Sequence, residues 1–125
     1  MFSTLLQVAL GGAIGASSRY LTGVAAIRLM GPGFPWGTLA VNVVGSFAMG
    51  VIVIVLGQFS ANRLAPFLMT GLLGGFTTFS AFSLDALTIY ERGQHGLAAG
   101  YVLASVILSL GAIVAGMALA RSGFA

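Results

Sequence analysis

Long apolar runs separated by short polar clusters lay out the chain as four segments. The first runs from about Ser3 to Ile27, ending at Arg28 before the loop Gly31-Pro32-Gly33-Phe34-Pro35. The second runs from Trp36 to about Gln58 and is followed by the polar Ser60-Ala61-Asn62-Arg63. The third opens at Pro66, a favourable first helical position, and reaches about Glu91; the fourth spans about Gly96 to Ala120 and is closed by Arg121. Each is near the ~20 residues that a spanning helix requires. The connections are too short for anything but antiparallel neighbours, so the pattern predicts an all-α membrane protein, a single four-helix domain over 1–125 with both termini on one side.

One stretch breaks the pattern from inside. Gly71–Ser83, GLLGGFTTFSAFS, lies within a span yet is written like a loop. Gly74 and Gly75 each cost a helix about 1 kcal/mol relative to alanine. Thr77, Thr78 and Ser80 add hydroxyls that compete with the helical ladder. Unpaired backbone groups cost several kcal/mol in hydrocarbon, so a broken span survives only where protein or a watery cavity covers it. The third helix is therefore predicted to break at Gly74–Thr78 and to hold a site. Its unwound carbonyls would coordinate a cation, and the N-terminus of its second half would attract an anion.

Composition fits this plan. Of 125 residues 58% are hydrophobic and 6% charged, against about 25% charged in a soluble domain. Nineteen glycines and no cysteine suit close helix packing without disulfides. The first apolar stretch lacks a small-residue cleavage site, so no cleaved signal peptide is expected. Five arginines against two acids are too few and too scattered for a nucleic-acid surface. Arg63, Arg121 and the amino terminus fall on one side of the membrane and Arg28 and Arg92 on the other, with Arg19 able to join them. Arginine bias sets orientation, and here it nearly balances. Insertion in both orientations is expected, which permits an antiparallel homodimer; the alternative is one orientation fixed by subtler features.

Polar residues within the spans fall into register. Thr38, Asn42, Gly45 and Met49 share one face of the second helix. Asn42 either hydrogen-bonds across helices or donates to a passing anion. Tyr101, Ser105 and Ser109 form a hydroxyl-lined track on the fourth, extended by Ala112 and Gly116. Phe79 and Phe82 are core packing unless their electropositive ring edges favour a small anion. In the first helix Gly11, Gly15 and the stripe Gly12, Ala16, Arg19, Gly23 read as close packing. Arg19 either snorkels or serves a pore or dimer interface. No carboxylate lies deep in a span, since Asp85 and Glu91 sit in the last third of the third helix. His95 has no second imidazole or cysteine with which to hold a metal. A proton-coupled exporter, an acid-ringed cation pore and a nucleophile–base enzyme all lack their residues; a passive polar track remains. A small dual-topology drug exporter and a non-conducting membrane scaffold subunit are the rival readings. The first needs an acid in an early helix, and the second predicts no ion flux.

The pieces Gly11/Gly12, Gly15 and Arg19, then WGTLAVNVVGS (Trp36–Ser46), GLLGGFTTFSAFS (Gly71–Ser83) and Tyr101-xxx-Ser105-xxx-Ser109 together resemble the Fluc (CrcB) fluoride channels of bacterial membranes, end to end. The resemblance implies a dual-topology antiparallel homodimer in the cell's inner membrane, with two pores for passive efflux of toxic fluoride. It implies pore-facing Phe79 and Phe82, an ion-coordinating Asn42, and a polar track through Thr38, Tyr101, Ser105 and Ser109. It further implies a structural, non-transported Na+ at the dimer centre, held by the backbone carbonyls of Gly74 and Thr77 of both chains. The chain departs from the family pattern at Ala81, where threonine is common, and at Asp85, where glutamate is common.

Overall fold

A computed structural model describes residues 1–58 and 62–124, with the side chain of Phe124 left aside; Ser60 and Ala61 of the expected polar loop lie outside the described residues. The described chain is helical almost throughout. Helix α1 covers Phe2–Met30 and α2 covers Trp36–Gln58. A 3₁₀ turn at Asn62–Leu64 leads into wide π-helical turns over Pro66–Leu73 and a short α3, Gly74–Phe76. After a non-helical gap come α4, Ser80–Glu91, and α5, His95–Phe124. Three stretches are long and apolar enough to cross a membrane: Trp36–Gln58, Asn62–Glu91 and His95–Gly123. Helix α1 is long enough at 29 residues but is diluted by Gln7, the Ser17-Ser18-Arg19 run and Thr22. It packs lengthwise on α2 and on the first half of the third span. Glycines with positive φ, Gly31 at 81° and Gly93 at 84°, turn the chain after α1 and before α5.

The third span is broken, and the gap occupies Thr77–Phe79. The glycines themselves stay helical, Gly74 having φ −62° and ψ −35°, while Thr77 is extended at φ −81° and ψ 159°. Their lack of side chains has a different use. Gly75 lies so close to α1 that a Cβ there would stand 2.8 Å from the Gly12 carbonyl oxygen and 3.1 Å from Gly12 Cα. Across the same seam a Cβ on Gly11 or Gly15 would run into the backbone of Phe67 or Leu72. The seam holds α1 against the segment before the break by main-chain contact, the membrane form of small-residue packing. A second seam joins α2 to α5, where Cβ atoms on Gly50 and Gly116 would strike the carbonyls of Ile113 and Phe47.

The seams and the open glycines respond differently to a methyl group. Gly15→Ala, where the added carbon has no room, is expected to destabilise by about 1–3 kcal/mol as overpacking does. Gly23→Ala on the same helix, with nothing within 4 Å, is expected to be neutral or to stabilise by up to about 1 kcal/mol. Denaturant unfolding of the detergent-solubilised protein measures both, and equal effects would show that the seam is not tight.

Candidate functional site

The break is organised by one side chain from α2. Asn42 accepts from the Thr78 backbone N–H through Oδ1 at 2.8 Å and donates through Nδ2 to the Thr78 carbonyl at 3.0 Å. The carboxamide thus pairs with a whole peptide group as a neighbouring strand would, satisfying a residue that has left the helix. Thr78 in turn caps the start of α4, its Oγ1 accepting from Ala81 N–H at 3.1 Å. Thr77 bonds back, with both its N–H and its hydroxyl reaching the Leu73 carbonyl at 2.9 Å. Its methyl group sits where a Cβ on Gly45 would be, which is why α2 can come close enough for Asn42 to reach.

These diversions free particular carbonyls. In a continuous helix the Gly74 carbonyl would receive Thr78 N–H and the Thr77 carbonyl would receive Ala81 N–H. Asn42 takes the first donor and Thr78 Oγ1 the second. Gly75 is treated differently, since its carbonyl accepts from Arg19 Nε at 3.1 Å. Among the described residues no three His, Cys, Asp or Glu side chains converge, so the oxygens offered to a cation here are backbone and hydroxyl ones. A hard cation takes oxygen ligands of this kind. The carbonyls that lose their helical donors at the gap are Gly74, Gly75, Phe76 and Thr77, whose partners would be the N–H groups of Thr78, Phe79, Ser80 and Ala81. Among the described residues Gly75 alone gains a side-chain donor in exchange. The residues present fit Na+.

Beyond the break lies a cavity of about 520 Å³ between α2, α4 and α5. It brings together Asn42, Phe79, Phe82, Ser105 and Ser109, and Gly74 and Thr77 also reach its wall. The Phe79 and Phe82 rings lie 5.6 Å apart, inclined at 54°. Phe79 is 77% exposed, so its ring stands out from its own chain. The Ser105 and Ser109 hydroxyl oxygens are buried without a hydrogen-bond partner. A buried hydroxyl left unmade costs about 1–3 kcal/mol, which singles out these two serines among the residues that line the cavity. The cavity offers O–H donors, ring edges and the second amide N–H of Asn42, with no formal charge on its walls.

Thr38 and Tyr101 share the faces of Asn42 and Ser105 but lie elsewhere. Thr38 Oγ1 donates to Asp85 Oδ2 at 2.7 Å, and Tyr101 O–H donates to the same oxygen at 3.4 Å. Tyr101 is wholly buried, its ring 5.3 Å from both Phe34 and Phe82. Thr38 and Asp85 instead line a separate cavity of about 280 Å³ near the 31–36 loop. Phe82 touches both groups and separates them. Sequence spacing could not reveal that Asp85 gathers the two hydroxyls, because the pairing crosses three helices. Nor could it pair Asn42 with Thr78 or Arg19 with Gly75. The available signal was that each lone polar residue within a span must find a partner, which names the need and not the mate.

Known proteins match the chain along these same residues. Residues 6–117 match the family described as CrcB-like protein, Camphor Resistance (CrcB). The chain is 69% identical over 125 residues, all of both chains, to a protein of Cereibacter sphaeroides named fluoride-specific ion channel FluC. It is 55% identical over the full length of both chains to one of that name from Paracoccus denitrificans. A third, from Agrobacterium fabrum, is 57% identical over 119 residues, covering 94% of this chain and 95% of its own. Carried by a family match that includes α1, the break and most of α5, the chain belongs to the CrcB-like family.

Proposed function

We propose that the protein is a fluoride-selective channel of the cell's inner membrane, through which fluoride leaves passively. The observation that carries the pore is the pair of buried, unpartnered serine hydroxyls facing Phe79 and Phe82 across one cavity. The ion is the one that the relatives' names give. Fluoride is small and gives up water reluctantly, so several donors must act together, each hydrogen bond to the charged ion contributing about 1.5–3 kcal/mol. Ser105, Ser109 and the free N–H of Asn42 supply donors, and the ring edges of Phe79 and Phe82 add weaker positive potential. A formal cation would hold the ion; these groups let it pass. The membrane potential then drives the anion out with about 2.3 kcal/mol per charge per 100 mV. Thr38 and Tyr101 keep their hydroxyls on Asp85, outside this cavity, so the donors assigned to the ion are those of Ser105, Ser109 and Asn42.

The pore is completed by a second, inverted copy. The exposure of Phe79 supports this, because a pore-facing ring needs another surface over it, and the balanced arginines permit both orientations. The carbonyls of Gly74 and Thr77 from the two copies would hold a structural Na+ that is not transported. Bound there, it would supply positive charge to the Gly74 and Thr77 carbonyls, Arg19 being engaged with Gly75, and would tie the copies together.

Fluoride release from Na+-containing proteoliposomes, with chloride retained, is the expected result for the purified protein. Absence of fluoride release under those conditions overturns the channel assignment. Asn42→Asp keeps an acceptor for Thr78 N–H but sets a carboxylate against the Thr78 carbonyl and in the anion's path. An unmade buried bond of about 1–3 kcal/mol corresponds to a roughly ten- to hundredfold fall in flux, and wild-type flux would show that Asn42 only packs. Exchange of Na+ for a bulky organic cation during purification is expected to shift the dimer toward monomer on size-exclusion chromatography. An unchanged elution profile would remove the cation site.

A further inference from the structure

Arg19 is the one charge at the break, and its chemistry there is specific. It lies on the α1 stripe Gly12, Ala16, Arg19 that faces Gly75, and the Gly75 backbone is locked to that stripe: a Cβ on Gly75 would meet Gly12 O at 2.8 Å and Ala16 N at 3.2 Å. One turn on, Arg19 Nε donates to the Gly75 carbonyl at 3.1 Å. Among the described residues Arg19 forms no ion pair, and Gly75 is its one hydrogen-bond partner. A half-buried guanidinium without a carboxylate is costly in a membrane, and here it is spent on one main-chain oxygen. That oxygen has lost its helical donor, since Phe79, four residues on, lies in the gap. Of the four carbonyls stripped of their helical donors, Gly74 to Thr77, Gly75 alone is re-satisfied by a side chain among the described residues.

We propose that Arg19 is a positioning residue for the ion path: by holding the Gly75 carbonyl against α1 it fixes the break's conformation and withdraws that oxygen from the carbonyls, Gly74 and Thr77 among them, left open to an ion. The role belongs to the Nε donor and its geometry rather than to the charge. It rests on reading the break as an ion site, and not on which cation binds there.

Glutamine and lysine separate donor from charge. The Nε2 of a glutamine stands as many bonds from Cα as the Nε of arginine, so Arg19→Gln keeps a donor in place and removes the charge. Arg19→Lys keeps the charge and puts a methylene where the donor was. Arg19→Met removes both. Amide hydrogen exchange across 71–83, with α2 and α5 as internal references for folding, reads the break directly. In the Met and Lys variants exchange at Thr77–Ser80 is expected to speed up by about tenfold or more, the scale of one lost hydrogen bond to a charged donor. In the Gln variant it is expected to stay within about twofold of wild type. Exchange that is protected in Lys and lost in Gln would overturn the proposal, because the charge would then be the active property. Unchanged exchange in all three would overturn it as well. If the Met variant does not fold, the Gln and Lys pair makes the comparison alone. Repeating the wild-type measurement with Na+ replaced by a bulky cation separates the two readings. Protection that needs Arg19 but not Na+ leaves this inference standing and removes the sodium site. Protection that needs Na+ but not Arg19 does the reverse.

Discussion

Everything at the centre of this protein depends on the pairing of the Asn42 carboxamide with the peptide group of Thr78. A broken helix in a membrane exposes donors and acceptors that no water can satisfy, and the break persists only if protein groups take them over. Asn42 does so with both ends of its amide at once, at 2.8 and 3.0 Å. Neither aspartate nor serine can offer a donor and an acceptor in that planar arrangement. The pairing also has a chemical consequence. By taking Thr78 N–H it leaves the Gly74 carbonyl without its helical partner, so the residue that stabilises the break also frees an oxygen of the proposed cation site.

Close packing makes that pairing possible. Thr77 presses its methyl group into the space beside Gly45, and Gly75 rests on the backbone of Gly12. Glycines at these contacts draw α1 and α2 in on the third span until a side chain as short as asparagine reaches its main chain. Their purpose differs from the one that propensity alone suggests. Gly74 and Gly75 weaken a helix, which places the expected gap at its start on Gly74, yet both remain helical and the chain opens at Thr77. Loss of helix propensity is about 1 kcal/mol per glycine, whereas a peptide group captured on both sides by Asn42 and capped by Thr78 Oγ1 outweighs it. Tertiary capture decides where the helix ends.

That distinction marks how much the sequence could disclose. The long apolar segments, the break in the third, and the sharing of one face by Asn42 and Gly45 or by Ser105 and Ser109 follow from spacing along single helices. Spacing says which residues lie together on one helix and is silent on the groups that face them. So Thr38 and Tyr101 fall on the expected faces yet meet at Asp85, one helical turn beyond the cavity that holds Asn42, Ser105 and Ser109. One oxygen of Asp85 receives both hydroxyls and leaves them committed within the chain. The serines farther along the same helix face no such acceptor.

The division of charge follows from the same geometry. The cavity proposed for the anion has hydroxyl-bearing residues, an amide and two phenylalanines on its walls and no ionised group, while Arg19 sits on the α1 side of the break with its Nε on Gly75. A guanidinium on the permeant ion would bind it tightly in a low-dielectric wall, where two unit charges attract far more strongly than in water. Placing that charge behind the backbone keeps a competing salt bridge out of the path. Conduction requires binding favourable enough to enter and weak enough to leave, and a wall of neutral donors in front of a buffered charge meets both conditions.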